Sequence, residues 1–150
     1  MTERLTYTVF GTWSGDKSGN GTLRLGENTT VHYSIPQNLG GSGQGTNPEE
    51  LLLSAAAGCY TLTLAILLQN RHIPYHRIDI ETQGFVENEG GLRYDRIVHQ
   101  PVIYVDNLTD EQRILRLAEH AELTCMVSSA LRGNVDVIVR PRVVCGAASR

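Results

Sequence analysis

The sequence predicts an α+β domain, with antiparallel sheets and two long central helices in the order βββ-α-ββ-α-β. Three observations carry that reading. Leu5 to Trp13 alternates polar and apolar residues with β-formers, Leu51 to Leu68 is an 18-residue run without a charge, and alternation returns from His76. Strands in blocks separated by helices fit α+β better than the strict alternation of a doubly wound fold.

Gly19 to Leu25 and Thr30 to Ile35 follow Leu5 to Trp13 across glycine and asparagine turns, giving a three-stranded meander. Gly40 to Gly45 is glycine-rich but lacks the GK[ST] signature of a phosphate cradle, and reads as a flexible loop. Thr46-Asn47-Pro48-Glu49-Glu50 then starts a helix, with Asn47 as N-cap, Pro48 at the first helical position and acids facing the dipole. The uncharged run that follows is long enough to span a bilayer. Ser54, Gly58, Thr61 and Thr63 dilute it, so a helix buried on all sides within an assembly is the expectation, ending near Asn70.

His76 to Glu87 and Arg93 to Val105 form a hairpin around the turn at Asn88 to Gly91. Thr109 caps a second helix with Gln112 at N3. Its apolar face is Ile114, Leu115, Leu117, Ala118 and Ala121, and it runs to about Leu123. A short helical stretch spans Cys125 to Leu131, and Asn134 to Val144 closes the chain as a Val-rich strand. At 150 residues this reads as one domain: a meander and loop to about residue 45, a core from 46 to 144, and a polar tail at 145–150.

Composition narrows the function. The chain is 41% hydrophobic and 19% charged, enough for a core and too little charge for a disordered chain. A net charge of −3 gives no global attraction to nucleic acid. Of 13 basic residues only Lys17 is a lysine. The first residues mix acid and base without an apolar core, so no secretory signal is read and a cytoplasmic location is expected. Three separated cysteines, Cys59, Cys125 and Cys145, match no disulfide scaffold or CxxC motif and are expected as thiols. His32, His72, His76, His99 and His120 lack metal spacing, and no metal site is expected.

Two blocks speak more specifically. GTNPEELLLSAAAGCYTLTLAILL, followed 66 residues after its cysteine by ELTCMVSSALRGNVDV, resembles the OsmC/Ohr family of thiol peroxidases, osmotically inducible and organic-hydroperoxide-resistance proteins. The early WSGDKSGNGTL is similar to its OsmC branch. The resemblance implies an intertwined homodimer with active sites at the interface. It also implies a peroxidase without metal, haem or flavin, in which Cys59 attacks an organic hydroperoxide and Cys125 resolves the product as a disulfide. A dithiol must then reset the pair, typically a lipoylated protein in this family.

The family also supplies an Arg held by the glutamate of TNPE, here Glu49. Ten residues of straight helix would part Glu49 from Cys59 by about 15 Å, so either the helix breaks near Ser54 or Gly58, or the acid comes from a second subunit. The Arg itself is missing: none lies between Arg24 and Arg71. Lys17 is the favoured substitute, with Arg24 behind it. Met126 stands where the family often has proline, a change expected to matter little. Leu52, Ile66 and Met126 are candidates for an apolar lining, and Cys145 is given no catalytic role. The competing reading is a redox-sensing or binding module with the same thiol pair and slow turnover. A Cys/His hydrolase is disfavoured, because no histidine has a place beside Cys59.

Overall fold

The computed structural model describes residues 2–146 and separates into two compact units, Met1–Leu51 and Leu52–Arg150. In the first, β1 (Val9–Ser14), β2 (Asn20–Leu25) and β3 (Thr29–Tyr33) form an antiparallel meander in the order β1-β2-β3. Gly21 is required at its centre, since a Cβ there would sit 2.5 Å from the Tyr33 ring and 2.6 Å from the Thr12 carbonyl oxygen. Every residue of β1 is exposed, as are Leu5 and Tyr7 before it. The strand expected from Leu5 begins only at Val9.

The glycine-rich segment is more constrained than a flexible loop. A short 3₁₀ turn (Gln37–Leu39) opens it, and the buried Ser34 hydroxyl donates to the Gln44 carbonyl at 2.7 Å. Gly41 N–H and Gly43 N–H donate to Pro36 and Ile35, and Thr46 N–H to His32. Helix α1 (Pro48–Asn70) then begins as its sequence dictates. Asn47 Oδ1 accepts the Glu50 N–H at 2.8 Å, while the Asn47 amide donates back to the Glu50 carboxylate at 2.8 Å.

The second unit holds the rest of α1, the hairpin β4 (Arg77–Asn88) and β5 (Leu92–Val105), helices α2 (Glu111–Thr124) and α3 (Met126–Leu131), and strands β6 (Asp136–Val139) and β7 (Arg142–Cys145). Here two expectations are corrected. The closing strand is two strands, interrupted at Arg140-Pro141 because proline has no N–H for the ladder. Both lie parallel to β5, with Ile97 opposite Val137 and Ile103 opposite Val143. The sheet is therefore mixed rather than antiparallel. The chain leaves β5, crosses over through α2 and α3, and returns in the same direction, which a hairpin cannot do. Cys145, assigned to a tail, pairs with Val105 at the end of β7, and residues 147–150 of that tail lie outside the described residues.

The α2 start is also displaced. Asp110, not Thr109, is its N-cap, because Asn107 Oδ1 takes the Thr109 N–H in a local turn. Of the expected apolar face, Ile114, Leu117, Ala118 and Ala121 lie in the core, while Leu115 is only half-buried.

Helix α1 is long and apolar enough to cross a membrane, with mean hydropathy 2.0. It buries Ala56, Tyr60, Leu64 and Leu68, one residue per turn, with the last three joining Ile103, Ile114 and Ala118 in one cluster. Its opposite side carries Leu62 and Ile66, 67% and 55% exposed. Within one chain the helix is covered on one side only.

At the centre of the core, Tyr60 stacks on His99 at 4.9 Å, and His99 Nδ1 shares a 2.8 Å hydrogen bond with the Thr82 hydroxyl. His99 is wholly buried and its Nε2 has no partner, so desolvation pushes its pKa down to about 4. As pH falls below about 6.5 the unfolded chain takes up the proton first. Stability should therefore decline from there to about pH 4, by at most on the order of 3 kcal/mol from this group. Urea unfolding across that range should show a shallower pH slope in His99→Phe, and an identical slope would show that His99 is not responsible.

Candidate functional site

The site is built where α1 passes the junction of α2 and α3. The buried Tyr60 hydroxyl donates to the Ala118 carbonyl at 2.7 Å, fixing α1 against α2. Cys59 precedes Tyr60 by one residue and is turned from the core axis, half-buried. Six residues beyond the Tyr60 contact, α2 ends and Cys125 takes an extended conformation (φ −69°, ψ 125°), at once the last cap of α2 and the first of α3. Its carbonyl accepts the Ser129 N–H at 2.9 Å, closing the first turn of α3. That leaves the first N–H groups of α3 without helical partners, as at every helix start.

Those donors serve Cys59. Desolvation pushes its thiol up, but hydrogen bonds from the Val127 N–H, the Cys125 thiol, the Met126 N–H and the Thr63 hydroxyl outweigh it, and the net pKa is lowered. The Thr63 contribution is the smallest, as its single hydrogen already reaches the Cys59 carbonyl at 2.8 Å. Cys125 moves the opposite way. Burial raises its pKa, and donating to Cys59 adds to the rise despite help from Ser128. The pair is thus asymmetric: Cys59 is the more acidic thiol and Cys125 the one that keeps its proton more tightly. A half-exposed thiol of lowered pKa beside a second thiol can, as its thiolate, attack an electrophile and then be captured by its neighbour.

The other candidates are not gathered in this way. Glu49 lies in the first turn of α1, which runs unbroken through Ser54 and Gly58, so the kink that would let it approach Cys59 of its own helix does not exist. Lys17, in the β1–β2 turn, extends over Gly40: a Cβ there would sit 2.7 Å from its Nζ. Arg24 stands 4.7 Å above the Phe10 ring. None of the groups acting on Cys59 is cationic. Leu52 is half-buried, and Ile66 and Met126 are exposed, Met126 directly after Cys125. Cys145 lies apart, its thiol donating to the Asp106 carbonyl at 3.1 Å. Among the described residues no cluster of His, Cys, Asp and Glu could hold a metal.

The contribution missed in the sequence is the Met126 N–H. It counts as a donor to Cys59 because residue 126 is not proline. Met126→Pro suits the first turn of α3 and should keep the fold, yet Cys59 should titrate at higher pH and be alkylated about tenfold more slowly at neutral pH, the loss of one charge-assisted hydrogen bond. A pH series of alkylation rates decides it: an unchanged curve would remove that N–H from the site.

The class defined by fold and site is an α+β domain with a mixed sheet in which a thiol of lowered pKa meets a second thiol at a helix junction. The comparisons give the family. Residues 41–140 match the family model described as OsmC-like protein, and the chain belongs to that family. It is 33% identical to the uncharacterized protein YmaD of Bacillus subtilis over 138 residues, covering 89% of this chain and 91% of that protein. It is 30% identical to an organic hydroperoxide resistance protein of Xanthomonas axonopodis pv. citri, covering 90% and 94%. The crystal structure of the organic hydroperoxide resistance protein OhrB of Bacillus subtilis superposes with a TM-score of 0.67 at 26% identity, over 91% of this chain and 98% of that one.

Proposed function

We propose that this protein is a thiol-dependent peroxidase that reduces organic hydroperoxides to alcohols. The observation that carries the reading is the asymmetric pair, Cys59 lowered and Cys125 raised at the start of α3. The Cys59 thiolate attacks the terminal oxygen of ROOH, the O–O bond breaks, and RO⁻ leaves and takes a proton to give ROH. Cys59 is left as a sulfenic acid. The Cys125 sulfur attacks it, the S–O bond breaks, and water leaves with the Cys125 proton as the disulfide forms. A dithiol donor, such as a lipoylated protein in a cytoplasmic compartment, returns two electrons and two protons and becomes a disulfide itself. The names of the Xanthomonas and Bacillus relatives support the substrate class, and the exposed Met126 and Ile66 offer apolar surface for its organic part.

The proposed active form is a homodimer. The uncovered α1 face at Leu62 and Ile66, open space around Gly58, and the fully exposed β1 support it. A matching helix rather than a bilayer then covers α1. Because α1 is unbroken, a dimer is also how Glu49 and a cation could reach Cys59, from the partner subunit. Lys17, held over Gly40 in the glycine-rich loop that precedes α1, is the cation proposed. Sedimentation at micromolar concentration should find a dimer, and Leu62→Glu with Ile66→Glu should yield monomer. A monomeric wild type would sink this part of the reading.

Cumene hydroperoxide with dithiothreitol should be consumed faster than H2O2 and not at all by Cys59→Ser, while Lys17→Ala and Glu49→Gln each slow it about tenfold. Peptide mapping after limited peroxide should find Cys59 joined to Cys125 and Cys145 still alkylatable. A second reading, a redox sensor with slow turnover, is favoured by the neutral surroundings of Cys59. Wild type reacting no faster than a free thiol of equal pKa would select it.

A further inference from the structure

Net charge is −3, yet Arg71, just after α1, and Arg113, Arg116 and His120 of α2 line one cleft of about 360 Å³ with Leu117 as its floor. The α2 residues share a face because their spacings of three and four return to the same side of a helix. Arg113 gives part of its charge to Asp110 at 2.8 Å. Among the described residues Arg71 and Arg116 have no carboxylate partner. The cleft is therefore a local positive field on an acidic chain.

Its position relates it to the thiols. At 1.5 Å rise per residue, Cys125 is about 7 Å beyond His120 and about 14 Å beyond Arg116 along α2, and Arg71 is about 18 Å along α1 from Cys59. Along the helix axes, then, the cleft and the cysteine pair are separated by distances that an extended arm on a docked partner can span. The four side chains are exposed, so each contact is solvated and worth little to a single small ion. Such a cluster acts instead by steering and orienting a partner that carries several opposite charges.

We propose that this cleft docks the acidic surface of the protein that supplies the dithiol, placing its reducing arm over the Cys59–Cys125 disulfide. The inference rests on the peroxidase reading, whose cycle needs a second molecule at this step. Planar guanidinium groups can pair with both oxygens of a carboxylate, and the partner this step calls for is a protein, whose negative surface is made of Asp and Glu.

The probe is a synthetic peptide with four Glu residues and a Cys-x-x-Cys dithiol, compared with its Gln counterpart. Two arms are measured: anisotropy of a labelled Ser-for-Cys version on the reduced protein, and the rate at which the dithiol peptide reduces protein whose disulfide was formed with diamide. The Glu peptide should bind and reduce at least about fivefold better than the Gln peptide. That advantage should vanish in Arg71→Ala with Arg116→Ala and fade as salt shortens the range of charge. Dithiothreitol should reduce wild type and variant equally. Equal behaviour of the two peptides, or an advantage kept by the variant, overturns the proposal. So does inorganic phosphate displacing the peptide while sodium chloride of matched ionic strength does not, which would make the cleft a small-anion site. Peptide binding uses no peroxide, so a protein that binds the Glu peptide but leaves hydroperoxide intact would refute the peroxidase reading and not the docking.

Discussion

The hydrogen bond from the Tyr60 hydroxyl to the Ala118 carbonyl is the contact on which the site depends. It joins two helices through residues that lie 58 positions apart in the sequence. It also explains why a helix so apolar carries a tyrosine at its most buried position: the phenol crosses the core and satisfies a polar group on the far side. His99 holds the other face of the ring and is itself held by Thr82 of the adjacent strand. With Tyr60 fixed, Cys59 has little freedom. It emerges beside the buried stripe, facing the point where α2 gives way to α3.

That junction supplies the chemistry. A helix ending and another beginning at one residue leaves a short row of backbone N–H groups unspent, and a thiolate is a suitable acceptor for them. Hydrogen bonds to backbone differ from a cation in two ways. They are fixed by the fold rather than by a mobile side chain, and they bring no net charge to offset the thiolate. Cys125 works against desolvation too, by giving its hydrogen to Cys59, and in doing so its own pKa is raised.

Different parts of this arrangement were legible in the sequence for different reasons. The start of α1 was, because capping is local and Asn47, Pro48 and Glu50 each report on the same turn. The α2 face was too, since periodicity reads burial directly. The direction of β6 and β7 was not: a Val-rich run is equally good in parallel and antiparallel pairing, and only the crossover through α2 and α3 decides. Pro141 was the available sign that one strand would be two. The two cysteines could be singled out only by resemblance, as an apolar helix gives a thiol no distinction from any other small side chain. Met126 was noticed as a departure, but its meaning lies in a backbone donor, which side-chain reading passes over.

The absent Arg becomes intelligible in these terms. A guanidinium beside a thiolate lowers its pKa strongly, but also demands a carboxylate to hold it in place, and the unbroken α1 puts Glu49 out of reach of its own Cys59. The N–H at position 126 lowers the Cys59 pKa as well, a weaker stabiliser than a cation but one that needs no orienting partner. Weaker stabilisation has a kinetic side, because a thiolate of higher pKa is intrinsically the better nucleophile even as less of it is present at neutral pH. A Cys59 held by N–H groups alone would therefore exchange thiolate population for reactivity per thiolate, whereas a cation brought by a partner subunit would shift that balance the other way.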